Sequence, residues 1–187
     1  ARNAARHAVL VLKNRDGLLP LRPTAGQSIL TIVPRDMNVV MSNDETLSHD
    51  MLPNALSKHF AGVQHVIIDE TPTDPQHYEA FGRSKNVDLI IFGIYSAGMS
   101  QGQLALLQEI LGLGKPVIVV ITNSPYAATM MPESTAAIVC GFGLTPFAFD
   151  AVAETIAGAL TPTAKLPVGL NAEMPEGFAV PLATPVA

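Results

Sequence analysis

The residues that could do chemistry in this chain are two serines and a cysteine that follow apolar runs, and a pair of adjacent acids. Ser96 comes after Leu89-Ile90-Ile91-Phe92-Gly93-Ile94-Tyr95, and Ser124 after Val117-Ile118-Val119-Val120-Ile121-Thr122-Asn123. A serine nucleophile at a strand end is expected in a Gly-x-Ser-x-Gly elbow, a sharp turn that exposes its Oγ. Ile94 and Thr122 fill the first glycine position, so neither serine has an elbow. Its histidine should also come later in the chain, yet His7, His49, His59, His65 and His77 all precede Ser96. Cys140, with Gly141 after it, lacks a downstream histidine too. It reads as a small buried thiol, because free cysteine packs as a hydrophobe. Asp69-Glu70 could be paired carboxylates, but neighbours at a strand end point to opposite sides. They read as solvated loop acids.

Metal and phosphate chemistry fare no better. No two histidines or cysteines have ligand spacing, and His49 and His59 are ten residues apart on one expected helix. His59 falls near the apolar face of that helix and is expected to be a partly buried core histidine. A dinucleotide site needs a glycine-rich turn after the first strand, and the chain has Pro34-Arg35-Asp36-Met37-Asn38 there. No Walker pattern occurs. Gly98-Met99-Ser100-Gln101-Gly102 precedes a helix and its amides could hold an anion, but a lone glycine pair reads better as a plain loop. The residues therefore call for no metal, no cofactor and no catalytic group of their own.

The elements that position these residues alternate. Strands are expected at 28–33, 65–68, 87–92, 117–121 and 137–140, with a last short strand at 165–170. Between them, Leu47, Met51, Leu52, Ala55, Leu56 and Phe60 recur at helical spacing over 44–60. A weaker helix is expected at 76–85. Leu104, Leu107 and Leu111 stripe another, closed by Gly112 and Gly114. Thr145-Pro146 should start the last helix, Thr as N-cap and Pro in the first turn. Strand and helix in repeated alternation mean an α/β fold, a three-layer α/β/α sandwich with a mainly parallel sheet of about six strands, flavodoxin-like in arrangement. The 165–170 strand is the candidate antiparallel member. Ligands of such sheets sit at the carboxyl ends of the strands.

Charge is sparse and uneven. Five of the eleven basic residues lie in 1–22, whereas from Pro116 onward Lys165 is the one base, with five acids. Such a stretch is either a buried sheet with its helices, the better reading, or a surface covered by something else. A net charge of −5 argues against a nucleic-acid partner. No apolar run reaches the roughly 18 residues of a membrane span, and no signal peptide opens the chain. One cysteine excludes an internal disulfide and leaves the redox compartment open.

Two motifs bracket the sandwich: Val9-Leu10-Val11-Leu12-Lys13-Asn14-Arg15-Asp16-Gly17-Leu18-Leu19-Pro20-Leu21 near the start and Lys165-Leu166-Pro167-Val168 near the finish. Read from the residues alone, the first is a strand, a turn at Asn14, Asp16 and Gly17, and an extended exit past Pro20. Together the two resemble the brackets of the second, α/β domain of family 3 glycoside hydrolases. The resemblance covers roughly residues 4 to 170 by order of elements, with Ala164 where a glycine usually precedes Lys-Leu-Pro. It implies a piece of a larger enzyme, with 1–22 the end of a linker helix and the segment leading into the sandwich, 23–170 the sandwich, and 171–187 an extended or disordered tail. The opening Ala1 and a helix already in progress at Ala4-Ala5-Arg6-His7-Ala8-Val9 agree with that expectation.

Many β-glucosidases of that family carry Ser-Glu-Gly-x-Asp-Arg after the third strand, the glutamate being the general acid/base. The matching stretch here is Ser96-Ala97-Gly98-Met99-Ser100-Gln101. A methyl group cannot protonate a leaving oxygen, so the acid role is gone. The β-N-acetylglucosaminidase branch takes its acid/base from a barrel histidine instead, and this chain resembles that branch more, also at Lys115-Pro116-Val117-Ile118-Val119-Val120 and Asn123-Ser124-Pro125-Tyr126. The resemblance implies a non-catalytic domain that supports an N-terminal catalytic barrel of the same parent chain, with carbohydrate reached through that parent and room for a homodimer. Side chains suited to a sugar ring at the strand ends are Tyr95, Ser96, Asn123, Ser124 and Tyr126. The competing classes are a free-standing flavodoxin-like module for a small molecule or anion, and a purely interacting domain.

Overall fold

The computed structural model describes residues 1–22, 26–35, 50–95 and 98–182. In chain order the elements are α1 (Arg2–Ala8), β1 (Leu10–Asn14), β2 (Ile29–Pro34), α2 (Met51–Ser57), β3 (Val63–Ile68), α3 (Asp74–Ser84), β4 (Leu89–Ile94), α4 (Gln101–Leu111), β5 (Val117–Ile121), β6 (Ala137–Cys140) and α5 (Pro146–Ile156). The strands form one sheet in the order β1-β6-β5-β4-β2-β3, parallel except for β1 against β6.

Alternation along the strands sorts the core into two layers. Ile118 and Val120 of β5 join Ile91, Val139 and Val33 under α2 and α5, while Val117, Val119 and Ile121 join Ile90, Phe92 and Cys140 under α3 and α4. Every residue of β2, β4, β5 and β6 is buried, so these strands need apolar side chains on both faces. The three-layer α/β/α sandwich follows. Thr145 caps α5 by accepting from the Ala148 amide at 3.3 Å, with Pro146 in the first turn as expected. Among the described residues, no helix is long and apolar enough to cross a membrane.

Two expectations are corrected. The antiparallel member is β1, not 165–170. Leu10, Val11 and Leu12 are buried and occupy the edge beside β6, and Pro167 has no amide to give a ladder. Residues near Leu166 instead fold against the tail, with Leu166 N donating to Phe178 O at 2.9 Å and Gly177 N to Leu166 O at 2.8 Å. His59 is exposed rather than partly buried. Helix α2 ends at Ser57, and the turn that follows gives the buried position to Phe60, against which the His59 ring tilts. The amino-terminal part of the helix expected over 44–60, including Leu47 and His49, lies outside the described residues.

The opening motif is a compact anchor. After β1 a 3₁₀ turn, Arg15–Gly17, reverses the chain through Asp16 (φ 53°) and Gly17 (φ 65°). Asn14 closes this loop with its side chain, accepting from Leu19 N at 2.8 Å and donating to Leu19 O at 3.0 Å. Leu19 and Leu21 are buried, and Leu21 N donates to Ile156 O at the end of α5. Pro20 then rests on Gly158. A Cβ there would lie 2.8 Å from Pro20 Cβ, and Gly158 has φ +78°. Gly158→Ala meets both a steric and a backbone penalty, so it is expected to destabilise the chain by about 1–3 kcal/mol. Urea unfolding of the two proteins checks this; equal stability would mean that Pro20 does not seat on α5.

Candidate functional site

The carboxyl ends of the strands form the edge where a parallel sheet can present side chains to a ligand. Backbone hydrogen bonds hold its loops. Thr122 N donates to Ile94 O, Gly141 N to Ile121 O and Gly143 N to Thr122 O, at 2.7–3.1 Å, which ties the end of β4 to the residue after β5, and the turn after β6 to that residue and the end of β5. Past β5, Pro125, Ala127 and Ala128 of a 3₁₀ turn (Pro125–Met130) are buried, which leaves Tyr126 and Met130 facing outward at 54% and 39% exposure. Asn123 is exposed and Ser124 half-buried beside them. Ser96 lies outside the described residues, as does Ala97.

Tyr95 differs from the expectation. It is buried, 2% exposed, with its ring edge-on to Phe149 at 5.2 Å between centroids. The strand parity explains this: Leu89 and Ile91 face α2 and α5, and so do positions 93 and 95. Gly93 has no side chain, and the Tyr95 ring folds back over it, within 2.9 Å of where a Cβ would stand. The hydroxyl has no partner among the described residues, and burial, with the nearby Asp50 charge second, pushes its ionisation upward. Tyr95 is thus a core residue rather than one facing substrate.

Several other polar groups have partners. Ser100 caps α4 in a capping box with Gln103, accepting from Gln103 N at 3.1 Å, and its hydroxyl donates to Glu70 O. The amides an anion would need in 98–102 are in part spent on the cap. Asp69 pairs with Arg35 Nε at 2.9 Å, a half-exposed bridge rather than a freely solvated acid. His77 meets Glu109 and His65 meets Asp50. Among the described residues no group of three or more His, Cys, Asp and Glu could hold a metal ion.

Sequence reasoning missed two aromatic side chains at this edge. Phe142 after β6 is 37% exposed and Phe147 in the first turn of α5 is 38% exposed, with the Arg2 guanidinium 5.7 Å above the Phe147 ring. Between α1 and the β6–α5 turn runs an apolar groove of about 330 Å³, bordered by Ala1, Ala4, Ala8 and Gly141-Phe142-Gly143. The signal was present in the sequence: Phe147 breaks the helical stripe of Phe149, Val152 and Ile156 and had to point elsewhere. What the edge offers is an apolar rim of Tyr126, Met130, Phe142 and Phe147, with no matched acid and base described in it.

The described strand edge is apolar, on a three-layer α/β/α sandwich. Residues 9–177 match the family model described as Glycosyl hydrolase family 3 C-terminal domain, and the chain belongs to that family. Its fold is similar to a fungal multi-domain family 3 β-N-acetylglucosaminidase (19% identity, TM-score 0.74, covering 91% of this chain and 19% of that one). It is also similar to a β-N-acetylglucosaminidase from a Paenibacillus species (17%, 0.75, covering 91% and 32%) and to the Listeria innocua β-glucosidase in complex with glucose (20%, 0.73, covering 90% and 26%). The chain thus spans a third or less of the length of these structures. No curated protein matches the sequence significantly.

Cys140, the other nucleophile considered above, is fully buried, and that burial pushes its thiol from near 9 up to about 12. The unfolded chain loses this proton above pH 9 while the folded chain keeps it, so the thiol's contribution to stability is intact below about pH 9 and is lost as pH rises toward about 12. The stability gap between the native chain and Cys140→Ala should accordingly shrink with alkali, by at most about 1.4 kcal/mol per pH unit. Urea unfolding between pH 8 and 11 measures it, and a constant gap would mean that the thiol titrates normally.

Proposed function

We propose that this chain is the non-catalytic second domain of a β-N-acetylhexosaminidase-like glycoside hydrolase, with an N-terminal catalytic barrel of the same parent as its partner. The observation that carries the reading is the rim itself. Four of the six large hydrophobic side chains most exposed among the described residues, Tyr126, Met130, Phe142 and Phe147, stand at the carboxyl edge in the part of the chain poorest in charge. Exposed apolar side chains concentrated at one edge favour a covering partner over open water. The groove along α1 continues that surface. In the division read from the sequence, 1–22 leads from the barrel, 23–170 is the sandwich and 171–187 is the tail, with β1 of the first part and Leu182 of the last joining the sandwich.

The sugar assignment rests on Ala97. A β-glucosidase that draws its acid/base from this loop needs a carboxylate there, whereas an enzyme of the N-acetylglucosaminidase branch does not. Asn123, Ser124 and Tyr126, with Ser96 from the segment that follows β4, are the side chains proposed to wall one side of the sugar cleft, and carbohydrate is reached through the parent. The domain's part is positional: it holds an edge against the barrel and shapes the opening.

The 187-residue chain alone is expected to hydrolyse neither an aryl N-acetylglucosaminide nor an aryl glucoside. Chromogenic assays against a buffer blank test this. Turnover that disappears when one of the chain's own carboxylates is changed would contradict the reading.

A further inference from the structure

The sheet has two edges, and the chain closes them differently. Beside β1 the tail runs alongside, with Val180 N donating to Val11 O at 2.8 Å and Leu182 buried in the core. At the opposite end, β3 is the last strand among the described residues. Thr31 Oγ1 donates to Gln64 O and Arg35 N to Ile68 O, so the carbonyls of Gln64 and Ile68 point toward β2. Backbone direction alternates along a strand, and His65 and Ile67 therefore turn their N–H and C=O groups to the outer edge.

An edge of this kind is a template for another strand. The segment Val63-Gln64-His65-Val66-Ile67-Ile68 is rich in β-branched residues, has no proline and carries no acid, lysine or arginine. A second copy brought up antiparallel about a two-fold axis would present the same segment with no like-charge repulsion along it. What stands in the way is Arg83. From α3, its guanidinium donates to His65 O at 2.9 Å and to Gln64 Oε1 at 3.0 Å, and Glu79, one turn earlier, steers it at 3.4 Å. The outward carbonyl at the middle of the edge is thereby taken, and a positive charge lies across the path of an incoming strand.

We propose that Arg83 is a lock on the outer edge of β3 that keeps this surface from pairing with a second copy of the chain. The lock is independent of any catalytic partner, since it lies at the far end of the sheet from β1 and β6.

Light scattering after size exclusion tests it on the 187-residue chain. Arg83→Ala is expected to raise the average mass toward twice the wild-type value as concentration increases, while the wild type stays a monomer. Adding His65→Pro, which removes an outward amide without touching the ladder to β2, should return the variant to a monomer. An Ala variant that keeps the wild-type circular dichroism and stays monomeric overturns the proposal, as does a dimer that His65→Pro leaves intact. Should Ala fail to fold, Arg83→Lys, which keeps the charge but loses the fork, is expected to associate more weakly in the same direction. A folded Lys variant that is monomeric throughout, or a chain that folds with neither residue, also overturns it.

Discussion

Burial of the central strands on both faces is the constraint from which the rest of the molecule follows. Val117–Ile121 has no side that meets water, and its neighbours β4 and β6 are buried to the same degree. Helices must then cover both faces, and a polar side chain within the sheet needs a local partner. Thr31 finds one in Gln64 O. Chemistry is pushed to the strand ends, where backbone bonds tie the end of β4 to the turns after β5 and β6. Those loops carry an apolar rim instead of acids and bases.

The same constraint explains why the two bracketing motifs are needed. Strand β6 is buried along its whole length and needs a neighbour, and β1 reaches the edge beside it because Asn14 ties the turn and Leu21 and Pro20 seat on the end of α5. The tail then runs over β1, with Leu166 buried in one core layer and Leu182 in the other. Helix α1 is held more lightly, with no fully buried residue, by the Arg6–Glu154 bridge at 3.1 Å and the contact of Arg2 with Phe147.

Most of this architecture was legible in the residues. Runs such as Val117-Ile118-Val119-Val120-Ile121 can only be central strands, and Thr145-Pro146 marks a helix start by hydrogen-bonding chemistry that does not depend on context. The misreadings share a cause. The 165–170 segment has strand-like composition, but whether it pairs depends on a vacancy at the sheet edge that β1 had already filled. His59 sits near an apolar stripe, yet the helix ends before it. Tyr95 looks like a strand-end aromatic until parity and the missing side chain of Gly93 place it indoors. In each case a tertiary fact decided a local ambiguity. The rim was hidden for the complementary reason: exposure of Phe142 and Phe147 is defined by which neighbours are present.

The central claim is that this rim is an interface with a catalytic barrel. Amide hydrogen exchange on the chain alone and on the same chain joined to its barrel tests it most directly. Slower exchange in the joined protein at 125–130, 141–147 and along α1, with α3 and the outer edge of β3 unchanged, is the expected result. Equal exchange at 125–130 and 141–147 in both proteins would contradict the claim and leave the apolar edge without a partner.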